Sequence, residues 1–201
     1  MGWTTACVFI NKREEGFLGT FPAHDGKRAR ELLAGLGWKF DDESQPSQFD
    51  AGLEPPSGWF CVGSYDGASL LSGHPDLYGL VQEPQKPFVR QCLSVFPDAQ
   101  VLFWELDETT GLVAYALYSG ANLQRAFVYD PDEGVVVNEG DLQPEEKTVL
   151  GNSPAELISD EAAEPLLFAL TARFLGSPFN KFQAEKLSTE LFKQKRSWWK
   201  R

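Results

Sequence analysis

Two histidines, His24 in AHDG and His74 in GHPD, are the residues of this chain best suited to proton transfer. Asp25 and Asp76 stand close enough in sequence to orient an imidazole as a general base, and a nearby cysteine would make a nucleophile pair. The same tetrapeptides also spell turn chemistry. Lys27 and Arg28 follow His24 at the start of a predicted helix, where free backbone N–H groups and two cations can hold an anion. The surrounding GTFPAHDGKR is not a Walker loop, because six residues separate Gly19 from Gly26 and Arg28 stands where Ser or Thr belongs. Ser64 lies in GSYDG directly after a glycine, which breaks the Gly-x-Ser-x-Gly spacing of a nucleophile elbow. Asp130, Asp132 and Glu133 in DPDEG lack the remaining ligand positions of a calcium loop and sit where a hairpin turn belongs. No His, Cys or acid spacing suits a metal, and no cofactor motif is present, so neither is expected. An enzyme or small-ligand reading therefore needs His24, Lys27, Ser64 and His74 to converge on one cleft, with Arg28 beside them.

Charge offers a different kind of chemistry. The 201 residues carry a formal net charge of -11, which repels nucleic acid and favours a basic protein partner. The acids are concentrated between residues 41 and 54, where Asp41, Asp42, Glu43, Asp50 and Glu54 occur without a base and are expected to form a mobile, polar, proline-containing loop. From residue 181 onward the balance reverses to seven bases against two acids, and the chain closes on Lys193, Lys195, Arg196, Trp198, Trp199, Lys200 and Arg201. Phe182, Leu187 and Leu191 fall near one stripe of a helix over 181–195, giving an amphipathic basic element. Such a helix packs on its own acidic body, reaches a protein partner or a second copy through its Trp and Arg side chains, or touches an anionic membrane surface.

Those residues must be held by a scaffold, and the apolar pattern outlines one. Residues 3–10 read as a buried strand and 26–36 as a helix with Ala29, Leu32, Leu33 and Leu36 on one face, Asp25 as its cap and Gly37 at its end. WFCVGSY and ASLLSG read as two strands around Gly67, and 84–96 as a helix that stops at Pro97. VLFWEL, LVAYALY, QRAFVYD and GVVVN are joined by connections too short for parallel crossovers, so they must meander antiparallel. A helix over 161–175 tolerates Pro165 in its first turn. The 42% hydrophobic content suits one core, with a domain over 1–177 and a tail over 178–201. Cys7, Cys61 and Cys92 are widely spaced and flanked by apolar residues, as core thiols in a reducing compartment are. The start lacks the basic region of a signal peptide, and no window suits a membrane span, so a cytoplasmic location is expected.

The opening MGWTT, the FP before the first helix and the PPSGWFCVGSYDGASLL block resemble an uncharacterised bacterial family, a domain of unknown function with starts like MGxKT and a similar glycine-bearing strand pair. The likeness covers roughly residues 1–175 in the order of elements and implies a bacterial cytoplasmic α+β domain, with no catalytic residue to carry over. The sequence thus predicts an α+β fold: a mixed, largely antiparallel sheet with packed helices and a C-terminal amphipathic basic helix. Its leading functional expectation is a non-enzymatic protein-binding module, immunity or antitoxin-like, whose acidic surface meets a basic partner or another copy.

Overall fold

A computed structural model of the chain describes residues 4–151, 158 and 160–195. Nine strands form one sheet: β1 (Thr4–Asn11), β2 (Phe40–Gln48), β3 (Trp59–Tyr65), β4 (Ala68–Ser72), β5 (Gln100–Asp107), β6 (Leu112–Ser119), β7 (Asn122–Asp130), β8 (Gly134–Gly140) and β9 (Ser188–Gln194). Their order is β2-β9-β3-β4-β1-β5-β6-β7-β8. Every neighbouring pair is antiparallel, so the expected α+β sheet is present without a parallel component. The helices are α1 (Gly26–Gly35), α2 (Phe49–Leu53), α3 (Pro87–Val95), α4 (Pro144–Leu150) and α5 (Asp160–Leu175).

Alternation along each central strand divides the core in two. Cys7 and Phe9 of β1 face the layer built by α2, α4 and α5, whereas Ala6, Val8 and Ile10 face α1 and α3. Trp104 and Tyr115 repeat the first orientation on β5 and β6, and Phe103 and Ala116 the second. Helices on both faces explain why these strands read as continuous apolar runs, which a sheet with one wet face would not need. Each fully buried Phe or Leu contributes about 1.5–3 kcal/mol, so the two layers carry most of the fold's stability. Close approach fixes one position in particular: a Cβ on Gly52 of α2 would run into the Sγ of Cys61 on β3.

Two expectations are corrected here. Residues 181–195 form no amphipathic helix: single 3-10 turns at Phe179–Lys181 and Ala184–Lys186 lead into β9, which lies between β2 and β3. Leu187 and Leu191 point to one core, Phe192 to the other, so LSTELF satisfies a strand buried on both faces. The limit expected at 177/178 therefore does not detach a tail, because the sheet continues to Gln194. Residues 41–54 are likewise not a loop; 41–53 belong to β2 and α2, and Glu54 follows α2 directly. An outermost strand is wetted along one side, and Pro46 is tolerated there because a free edge needs fewer N–H donors.

Candidate functional site

The loop that joins β1 to α1 is pinned before it reaches His24. Gly16 donates its N–H to the carbonyl of Arg173 at 2.8 Å, and Phe21, at φ 52, stacks on Phe182 with 5.6 Å between ring centroids. A bulky residue in the left-handed region is strained, and here the stacked ring and the turn around it hold that conformation. Asp25 then caps α1 by accepting from the N–H groups of Lys27 and Arg28 at 3.0 and 3.1 Å. His24 is placed against the hairpin end of β3 as a result.

Both ring nitrogens of His24 are engaged. Nδ1 accepts from the Ser64 N–H at 3.2 Å, which puts the proton of the neutral ring on Nε2, 3.3 Å from Oε2 of Glu190 on β9. Arg30 of α1 reaches the other oxygen of Glu190 at 3.0 Å, donates to the Ser44 hydroxyl at 2.7 Å and lies over the Phe192 ring. Burial alone pushes the Glu190 carboxyl up; hydrogen bonds from Ser44, His24 and Arg30, with the Arg30 charge, outweigh it and hold the group below its ordinary value. This cluster ties α1 to β2, β3 and β9. It leaves no lone pair of His24 free to take a substrate proton.

The four residues proposed for a common cleft do not converge. Ser64 is beside His24, and its carbonyl also accepts the Asp25 N–H at 2.8 Å. Lys27 is exposed and pairs with Glu31 at 3.8 Å, while Arg28 pairs with Asp66 at 2.9 Å and Asp25 at 3.4 Å. His74 follows the far end of β4, away from the β3–β4 turn, stacked on Trp38 with 3.9 Å between ring centroids. Its Nδ1 accepts from the Asp76 N–H at 3.1 Å and its Nε2 meets the Gln194 side chain at 3.3 Å. Burial lowers the His74 pKa, against the opposing charge of Asp76. The thiols offer no nucleophile: burial raises Cys61 to about 11, Cys92 to about 12 and Cys7 further still.

The acidic set is organised differently. Asp41, Asp42 and Glu43 lie on β2, the outermost strand of the sheet, where Asp42 and Glu43 are exposed and Asp41 is half-buried. Asp50 on α2 and Glu54 just after it are exposed as well. Glu43 is met by Lys193 of β9 at 2.6 Å, and Lys193 also lies over the Trp59 ring. A groove of about 560 Å³ runs beside them, bounded by Asp41, Gly58, Pro75, Lys193 and Lys195. Lys195 is exposed; Arg196, Trp198, Trp199, Lys200 and Arg201 lie outside the described residues.

One further polar cluster was not legible as such. Arg125 of β7 and Glu146 of α4 are fully buried and joined at 2.8 Å, with the Tyr115 hydroxyl donating to Glu146 at 2.6 Å and Arg125 reaching Asn138 at 2.7 Å. It fastens α4 to the sheet, and only the Arg amid the apolar run QRAFVYD hinted at it. Among the described residues no group of three or more His, Cys, Asp or Glu is placed to hold a metal ion, and no helix is long and apolar enough to cross a membrane.

No curated protein and no solved structure matches the chain. Residues 4–172, which span β1 to the last turn of α5 and so hold strands β1 to β8, the α1 cap and the buried Arg125–Glu146 pair, match the family described as Family of unknown function (DUF6928), and the chain belongs to that family.

Proposed function

We propose that the chain is a non-enzymatic protein-binding module of the bacterial cytoplasm, immunity or antitoxin-like in kind, that takes a basic protein on the acidic free edge of its sheet. The observation that carries this reading is the placement of Asp41, Asp42 and Glu43 on β2, which among the described residues has a strand neighbour on one side only. An edge strand offers a row of backbone donors and acceptors to an added strand, and carboxylates along it select a partner rich in Lys and Arg. The same charges, with Pro46 and the irregular register between Phe40 and Ser44, discourage pairing with a second acidic edge. The engaged ring nitrogens of both histidines favour binding over catalysis, and three buried free cysteines suit a reducing compartment.

Affinity capture with the full chain at low and high salt, repeated with Asp41→Lys/Asp42→Lys, tests the reading. A basic protein held at low salt, released at high salt and not held by the double variant is expected. Absence of any basic partner at low salt, or equal capture by the variant, contradicts it.

A further inference from the structure

A second cleft opens on the α1/α3 face, beneath the helices and above the last rung of the sheet, and has a volume of about 300 Å³. Its walls are largely apolar, with Ile10 from β1, Leu32 from α1, and Val95 and Phe96 from the end of α3, and Arg28 and Glu31 of α1 also line it. Its floor is not. Ile10, Ser69 and Ser64 stand in register across β1, β4 and β3, which places two serines side by side at the bottom. They are only 7% and 4% exposed, and both border the cleft.

The rim supplies a charge. Lys12 brings its ammonium to 5.9 Å from the centre of the Phe96 ring at the mouth. Arg28 is shared between Asp66 and Asp25, and Glu31 faces Lys27, whereas Lys12 has no carboxylate partner among the described residues. We infer that this cleft binds a small anionic amphiphile, a monocarboxylate with a short aliphatic or single-ring body, its carboxylate at Lys12 and its apolar body between Leu32 and Phe96. The volume lies at the lower end of the range for small-molecule sites, about 300–1,000 Å³, which limits the ligand to a short chain. This site lies apart from β2 and does not depend on the protein-binding reading.

Calorimetric titration of the full chain with octanoate, octanol and octylammonium tests it. Octanoate is expected to bind at least about tenfold more tightly than octanol, a difference that one charge-assisted contact supplies, and octylammonium not to bind. Lys12→Glu should cost octanoate that same factor and leave octanol unchanged. Val95→Trp, at a position 36% exposed on the rim, should close the mouth and abolish binding of both without changing thermal unfolding. No octanoate binding at millimolar concentration, equal binding of octanoate and octylammonium, or undiminished octanoate binding by either variant overturns the inference. Asp41→Lys/Asp42→Lys should bind octanoate as the unaltered chain does, which separates failure here from failure of the edge-strand reading.

Discussion

His24 and Glu190 are 166 positions apart in sequence and 3.3 Å apart in the fold. Asp25, the obvious partner for His24, is instead occupied as the α1 cap. The residue types were visible in the sequence, but which acid meets which base is decided by β9 entering the sheet, and no local spacing encodes that. The Glu190 carboxyl has an ordinary value of 4.5 and is depressed in the folded chain, so its charged form stabilises the fold above the unfolded value. That stability is lost as pH falls through the folded value. Glu190→Gln should therefore cost about 1–3 kcal/mol at neutral pH, and urea titrations should show the gap closing as pH falls below the ordinary value of 4.5. A gap constant with pH would mean that shape, not charge, matters at this position. The Arg125–Glu146 pair is a harsher case, because both side chains are fully buried. Arg125→Met alone should cost about 3–5 kcal/mol by stranding Glu146, and adding Glu146→Leu should recover part of the loss in a double-mutant cycle. Strict additivity would contradict the coupling drawn here.

At the scale of elements, the strands of the meander and the spans of α1, α3 and α5 follow the apolar pattern closely. Long runs with turn chemistry between them leave little choice. β2 and β9 were not legible, and they are neighbours. Beyond Phe40, β2 is polar because its outer side is wet, so its period is hidden; β9 is short, and LSTELF fits a helical stripe as well as a two-sided strand until the gap between β2 and β3 is known. The capping box of Gln143 and Glu146, with Pro144 in the first turn, was a readable signal for α4 inside what appeared a merely polar stretch. The placement of β9 gives a direct prediction. A chain ending at Ser177 loses the strand that joins β2 to β3, exposing surface that now packs against Leu191 and Phe192, and should be unfolded or insoluble by circular dichroism. If the shorter chain folds equally well, β9 is not part of the cooperative unit.

For the whole molecule, the charge balance named a class of partner without naming where it binds. The proposed reading puts that place on the acidic run of β2, where Lys193 of the neighbouring strand is drawn against Glu43. The central claim is that a basic partner pairs with β2, and hydrogen exchange tests it most directly. Backbone amides between residues 40 and 48 should exchange quickly in the free chain on the unpaired side and slow sharply when the captured basic protein is bound, with α5 and the β6–β7 pair unaffected. Protection confined to another surface, with β2 exchanging as fast in the complex as alone, would contradict it.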